Sequence, residues 1–249
     1  MTKVFVHGNP EVAEIWGPLV DALGERGVDD CVALSPPGFG APVPAGFEAT
    51  PAGYVDWLAG ELTGLGGTID LVGHDWGAGH VFGLAARSPG LIRSWAADCA
   101  GLLHPSYEWH DAAQTWRTPG AGEQSVADLT DLPVEELTAA YAGLGMPPEI
   151  AGPMADAANE EMGACILTLY RAADRAVLDE VARALATADR PALLLSAEAD
   201  PYVGVEFTGE VAAQLGAAVA PMPDLGHWWM VQDPTPAADA LARFWASLD

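Results

Sequence analysis

The sequence predicts an α/β protein: a mostly parallel sheet flanked by helices, with a helical segment inserted between two strands. Three observations point there. Short β-branched or apolar runs alternate with longer amphipathic stretches, the rhythm of strand–helix units. Half of the 249 residues are apolar, which excludes disorder and supplies one large core. The stretch 102–169 then breaks the rhythm and carries no convincing strand.

Strands are expected at 3–6, 31–34, 69–73, 92–98, 192–196 and 217–221. Helices are expected over 11–25, 53–64, 77–87, 170–186, 205–215 and 235–247. The core domain is therefore read as 1–101 together with 170–249, and 102–169 as a helical cap. Turns at Pro119-Gly120 and Gly145-Met146-Pro147-Pro148 divide the cap into several helices. Its acidic side chains, from Glu108 to Glu161, face only Arg117 and read as a solvated surface. Such an insertion forms a natural lid over the C-terminal ends of the strands, where open parallel sheets bind ligands.

Ten basic residues against 35 acidic ones give a formal charge of −25. That surface repels phosphate backbones and anionic lipid, so nucleic-acid and membrane partners are not expected. No apolar run approaches the length of a bilayer span. Met1-Thr2-Lys3 leads straight into Val4-Phe5-Val6, too short and abrupt for a secretory leader. Cys31, Cys99 and Cys165 are odd in number and far apart, and read as reduced, buried cysteines of a cytoplasmic protein. No histidine or cysteine spacing suits a metal, so neither a metal nor an organic cofactor is expected.

The most informative segment is Gly73-His74-Asp75-Trp76-Gly77. An apolar strand stops at Gly73 and a small-residue helix starts at Gly77. Gly-X-Asp-X-Gly between strand and helix is the nucleophile-elbow pattern, with aspartate where esterases carry serine. Taken alone it could be an ordinary turn whose aspartate caps a helix. At a helix N-terminus, backbone N–H groups and the helix dipole should keep the Asp75 carboxylate ionised. Three other segments fall in the order this chemistry needs. His7-Gly8-Asn9-Pro10 follows the first strand and can supply an oxyanion-hole N–H from Asn9, the other coming from Trp76. A buried strand runs into Glu198-Ala199-Asp200-Pro201, and Leu225-Gly226-His227 follows the last strand. Nucleophile, acid and histidine thus appear in the order Asp75, Asp200, His227.

On these motifs the chain resembles the α/β-hydrolase superfamily with an aspartate nucleophile, chiefly the epoxide hydrolases and haloalkane dehalogenases. The likeness covers essentially the whole chain, including Pro36-Pro37-Gly38-Phe39-Gly40. One departure is the start: family members usually carry an extra N-terminal hairpin. The resemblance implies the α/β-hydrolase fold and a two-step reaction. A carboxylate displaces a leaving group at a saturated carbon, and water activated by His227 cleaves the resulting alkyl ester. Asp200 would orient the histidine, with Asp98 and Glu198 as alternative acids.

The small apolar substrate is then an epoxide or a haloalkane. An alkoxide leaving group needs a proton donor, whereas a halide needs only N–H groups around it. Leu169-Tyr170-Arg171-Ala172 resembles the segment carrying a lid tyrosine of epoxide hydrolases, and Trp116-Arg117-Thr118-Pro119-Gly120 their first lid segment. Ala112 stands where a second lid tyrosine is expected, leaving Tyr107, Trp109, His110 and Tyr141 as substitutes. Asn9 with Trp76 resembles the halide-holding pair of haloalkane dehalogenases. Epoxide hydrolysis to a diol is the main expectation and dehalogenation the alternative. Trp109, Trp116, Trp228 and Trp229 either line the pocket or belong to the core. A non-catalytic ligand-binding relative should have lost the aspartate or the histidine, and both are present.

Overall fold

The computed structural model describes residues 1–248. Six parallel strands form one sheet in the order β2-β1-β3-β4-β5-β6. They are β1 (Thr2–Val6), β2 (Cys31–Leu34), β3 (Ile69–Gly73), β4 (Ser94–Ala97), β5 (Ala192–Ala197) and β6 (Ala218–Met222). All six coincide with apolar runs in the sequence. Because helices cover both faces, successive residues of one strand bury on opposite sides. Val4, Val6, Leu71 and Leu194 pack on one face, against α2 (Pro51–Leu65), α3 (Trp76–Arg87) and α9 (Arg175–Leu185). Phe5, Val72, Leu193 and Leu195 pack on the other, against α1 (Gly17–Gly24) and α12 (Thr235–Ala246).

The chain order reverses at β1, with β2 on one side and β3 on the other. The crevice at such a switch point is where this architecture places its site. Near the opposite end, Lys3 and Asp70 are register partners on β1 and β3 and form a buried ion pair. Arg93 and Ser94 complete the set of donors to Asp70.

Between β4 and α9 come α4 (Asp111–Arg117), α5 (Ala121–Thr130), α6 (Val134–Gly143), α7 (Pro148–Ala157) and α8 (Glu160–Ala172). The expected helix over 170–186 is in fact two. Tyr170 lies in the last turn of α8, which ends at Ala172, and α9 starts only after Asp174, whose carboxylate accepts the Val177 N–H at 2.9 Å. A side-chain cap three residues before an apolar run starts a helix afresh, and the apolar periodicity runs through the break. The first expected helix likewise opens as a 3-10 turn, Ala13–Trp16, before α1. The three cysteines are free; Cys99 and Cys165 are buried, but Cys31, on the edge strand, is only half-buried. Among the described residues, no helix is long and apolar enough to cross a membrane.

The elbow is tightly crowded by the neighbouring strand. A Cβ on Gly77 would lie 2.0 Å from the Val6 carbonyl oxygen, which belongs to the neighbouring strand and cannot step aside. Gly77→Ala should therefore lose about 3 kcal/mol of stability in a urea titration. Gly90→Ala, with nothing within 4 Å of the added carbon, should stay within about 0.5 kcal/mol of the parent. Equal stability of the two variants would mean that β1 does not crowd the elbow as described.

Candidate active site

Five loops leave the C-terminal ends of β1, β3, β4, β5 and β6 and converge on Asp75. Asp75 has φ 53° and ψ −122°, a conformation non-glycine residues seldom adopt, and it lifts the carboxylate above the sheet. The Asn9 N–H donates to Asp75 Oδ1 at 2.9 Å. The remaining oxygen, Oδ2, faces His227 Nε2 at 3.9 Å. On the far side of that ring, Nδ1 meets Asp200 Oδ2 at 2.9 Å. The three sequence-predicted residues Asp75, His227 and Asp200 thus stand together in a row, with the imidazole between the two carboxylates. Glu198 is exposed.

Asp98 has a different partner. Its Oδ2 meets His74 Nδ1 and accepts the Trp229 indole N–H at 2.7 Å, and its Oδ1 accepts the Asp75 N–H at 3.1 Å. The other nitrogen of His74 meets Glu11 Oε1 at 3.0 Å, and that same oxygen accepts the Trp228 indole N–H at 2.7 Å. Glu11 Oε2 accepts the Gly8 N–H at 2.9 Å. Glu11, His74 and Asp98 therefore form a fully enclosed row beneath Asp75 and His227.

Burial disfavours charge on each of them, and their mutual attraction outweighs it. Glu11 is lowered to about 2 despite desolvation, chiefly by the charge and hydrogen bond of His74. Burial would pull His74 down, but Asp98 and Glu11 lift it well above the usual imidazole range. Burial would also raise Asp98, and His74 brings it below the usual carboxylate range. The row reads as carboxylate, imidazolium, carboxylate.

The titration of Asp75 departs from the expectation for a helix N-terminus. Burial raises its carboxyl from the ordinary 3.8 to about 6, with Glu11 adding to the rise and His227, His74 and the Asn9 N–H opposing it. One backbone N–H does not compensate for removal from water. His227 is pulled down by burial but ends above its ordinary 6.5, because the hydrogen bond and charge of Asp200, with the charge of Asp75, together outweigh burial and the charge of His74.

Above Asp75 lies a cavity of about 310 Å³. Asn9, His110, Tyr170, Tyr202 and His227 are among its polar side chains, with Asp75 and Ser125, and Trp116, Leu129, Leu144 and Trp228 supply much of its apolar wall. Ala112 and Tyr141 line it too. The Tyr170 hydroxyl accepts from Asn9 Nδ2 at 3.1 Å. Burial and Asp75 hold the phenol well above its usual pKa, against the opposing pull of Trp76 and Asn9.

Two expected pocket residues are displaced. Trp76 and Trp109 are not among the residues lining the cavity. The Tyr170 ring stands edge-on to both, 5.3 Å from Trp76 and 5.4 Å from Trp109, while the two indoles stack at 5.9 Å. Tyr170 is the innermost member of this aromatic stack and takes the wall that the sequence assigned to the indoles. Trp229 is likewise a core residue, fully buried and tied to Asp98, and only Trp116 and Trp228 of the four tryptophans face the cavity.

Sequence reasoning missed the Glu11–His74–Asp98 row and the cavity wall formed by Tyr202. A histidine closing a buried strand was the available signal, since an imidazole there requires partners from outside its own segment.

The alpha/beta hydrolase family model matches residues 4–240. A haloalkane dehalogenase of Bradyrhizobium diazoefficiens is 25% identical across 96% of this chain and 84% of its own length. One from Mesorhizobium japonicum is 29% identical, but that match spans 51% of this chain and 43% of the relative. Among solved structures, an E-2-(acetamidomethylene)succinate hydrolase superposes with a TM-score of 0.73 at 20% identity, covering 98% of this chain and 91% of that one. A haloalkane dehalogenase from Bradyrhizobium elkani gives 0.69 at 24% identity, covering 99% and 90%. These structural likenesses establish the fold.

The raised carboxyl of Asp75 makes a stability prediction with a definite sign. Folded protein keeps a proton on Asp75 up to about 6, whereas an unfolded chain releases it near the ordinary 3.8. Ionisation of Asp75 therefore lowers stability as pH rises through that window, and the loss persists above it. Asp75→Asn should be more stable than the parent by about 2–3 kcal/mol at pH ~8, with the gain vanishing below pH ~3.8. Denaturant titrations at the two pH values check this, and a variant no more stable than the parent at pH ~8 contradicts the buried, desolvated carboxylate.

Proposed function

The chain belongs to the alpha/beta hydrolase family, and we propose that it hydrolyses a small apolar epoxide to a vicinal diol through an alkyl ester on Asp75. The observation that carries this reading is the Tyr170 hydroxyl, which sits in the cavity beside the nucleophile and accepts from Asn9 Nδ2. A phenol can give a proton to a leaving oxygen, which an amide or indole N–H cannot do.

Asp75 Oδ2 is the free oxygen and attacks a ring carbon, forming the ester as the C–O bond of the epoxide breaks. The departing oxygen takes the Tyr170 proton, and the Asn9 amide N–H stabilises the phenolate left behind. Water then adds to the carboxyl carbon of Asp75, giving its proton to His227 Nε2. At 3.9 Å that nitrogen is too far from Oδ2 for a direct hydrogen bond, so it is available to water. The oxyanion develops on Oδ1, which already faces the Asn9 N–H at 2.9 Å. Trp76, next in the chain, is the second donor, and each donor of such a hole contributes roughly 10²–10³ in rate. Collapse expels the diol and restores the carboxylate, and the His227 proton returns to the Tyr170 phenolate. Asp200 keeps the Nδ1 proton in place and stabilises the cationic ring. A serine at position 75 would stop at an ether with no carbonyl for water to attack.

A second reading is dehalogenation, and the comparisons support it better than they support epoxide hydrolysis: both curated relatives are named haloalkane dehalogenases. The same ester would form with halide as the leaving group and no proton donor. Against it, the Tyr170 ring lies edge-on to the indole expected to hold the halide, and Asn9 Nδ2 is already directed to the phenol oxygen.

Three experiments test these steps. His227→Gln should form the ester and fail to cleave it, trapping protein heavier by the bound substrate on the peptide containing Asp75. In the parent enzyme, a single turnover in ¹⁸O-water should label Asp75 and leave the new product oxygen unlabelled. Label entering product directly would mean that water attacks the substrate and that Asp75 forms no ester. Tyr170→Phe should slow epoxide opening by roughly 10²-fold in single-turnover alkylation. Undiminished halide release from a panel of short haloalkanes by that variant, with no diol from styrene-type epoxides by the parent, would establish the second reading.

A further inference from the structure

Cys99 lies just past β4, beside the acid and the base, and takes no part in the steps above. It is buried and adopts φ 51° and ψ 30°, a left-handed conformation that non-glycine residues seldom take. A glycine would take that backbone without strain, and the cysteine adds a sulfur there. Cys99 Sγ, a carboxylate oxygen of Asp200 and a ring nitrogen of His227 all lie within 4.8 Å of one another. The carboxylates of Asp98, Asp200 and Asp75 all act on this thiol, so the local field favours a cation. Two other groupings of ligand atoms among the described residues, Glu11–His74–His227 and His74–Asp98–Cys99, run through His74. Both His74 nitrogens already meet carboxylates, so a metal there would have to break the enclosed row. The Cys99 trio needs only the contact between His227 Nδ1 and Asp200 to open. Beside it is a void of about 10 Å³, room for one water, lined by Cys99, Asp200, Ser196 and Thr208 among others. A cavity of about 500 Å³ shares Asp200, Val203, Gly204 and Val205 with that void and carries the exposed Glu108 and Glu206 on its wall. Cations thus have a route in, and the route is acidic.

We propose that Cys99, Asp200 and His227 form an inhibitory site for one zinc-class divalent cation. Thiolate, imidazole and carboxylate are the donor set of a borderline-soft ion, whereas Mg²⁺ and Ca²⁺ prefer oxygen alone. Ligand bonds of about 2.0–2.3 Å set donor atoms roughly 3–4 Å apart, so the trio must close by about an ångström. The void gives room for a water as fourth ligand. Asp200 is preset for its part: Oδ1 accepts the Tyr202 N–H at 2.8 Å, which leaves Oδ2 for the metal. On binding, the Cys99 proton leaves to solvent and the sulfur bonds the metal as thiolate. His227 binds through Nδ1, the nitrogen that faces Asp200, and its one remaining proton moves to Nε2. Nε2 is then a donor and accepts nothing from water. The inhibition rests on the proposed role of His227 as the base of ester hydrolysis, while the site itself does not.

Cadmium binding to the parent protein tests the site without any substrate. One Cd²⁺ per chain should bind and produce the ultraviolet cadmium–thiolate absorption. Cys31→Ser and Cys165→Ser should keep that band. Cys99→Ser should lose it and weaken Cd²⁺ binding by at least the roughly 10–100-fold that an outer-shell partner is worth. Anomalous scattering from Cd²⁺-soaked crystals of the parent should place the ion on Cys99, Asp200 and His227, which decides the matter even if Cys99→Ser does not fold. A band that survives in Cys99→Ser, or an ion held elsewhere, overturns the proposal. In turnover, Zn²⁺ should slow ester hydrolysis by roughly 10²-fold and ester formation far less, with a chelator restoring the rate. The Cys99→Ser protein should turn over at the same rate with and without Zn²⁺. An ion bound at the trio that leaves ester hydrolysis untouched overturns the inhibitory role. Should no substrate alkylate Asp75, the proposed function fails while the cadmium measurements stand.

Discussion

The backbone of Asp75 is the constraint from which the rest of the site follows. A non-glycine residue at φ 53° and ψ −122° is strained by about 1–3 kcal/mol and persists only where its surroundings leave no alternative. Here they do. The Val6 carbonyl lies where a Gly77 side chain would begin, and a Cβ on Gly8 would lie 2.0 Å from Asp75 Oδ1. The loop after β1 and the elbow after β3 are thus pressed together by the sheet itself. This closeness puts the Asn9 N–H on Oδ1 and leaves Oδ2 facing His227. The same contact that strains Asp75 divides its two oxygens into one that is held and one that is free.

Crowding of this kind removes water, and removing water from a carboxylate raises its pKa. The fold answers with charge placed one layer below. Glu11, His74 and Asp98 are costly to bury singly, but as a row each ionised atom meets a partner and the remaining lone pairs accept backbone or indole N–H groups. The strongly acidic exterior contributes little here, because solvent and salt screen it. What acts on Asp75 and His227 is the enclosed row, where no such screening reaches.

This explains which parts of the site were legible in the sequence. The six strands, the elbow and the order Asp75, Asp200, His227 rest on local chemistry: apolar runs, glycines at a tight turn, an acid or histidine just past a strand. Each is written within a few adjacent residues. The role of His74 is not, because its partners lie 63 and 24 positions away in the chain and meet it only after the sheet forms. Asp98 was a plausible triad acid by position alone, and only register and loop direction send it to His74 instead. The pKa of Asp75 was misjudged for the same reason: the helix start is local, but desolvation is a property of everything packed around it.

The helices between β4 and α9 show the same division from the other side. Tyr170 is a core-facing helix residue by periodicity, and nothing nearby in sequence says that its hydroxyl will reach Asn9. Its place is set by arginines on two helices. Arg117, at the end of α4, donates to the carbonyls of Tyr170 and Ala173, closing the unsatisfied C-terminal turn of α8. Arg171, the next residue after Tyr170, donates to the Trp116 carbonyl and pairs with Glu123 of α5. Those bonds fix both the height and the rotation of α8 over the sheet, and with them the phenol. The aromatic stack behind it, Trp109 on Trp76, then blocks retreat. The core fixes how Asp75 and His227 are arranged. The docking of α8 decides whether a phenol or an indole faces the cavity beside Asp75, so on the proposed reading the chemistry is written in the elbow and the choice of leaving group in the helices between β4 and α9.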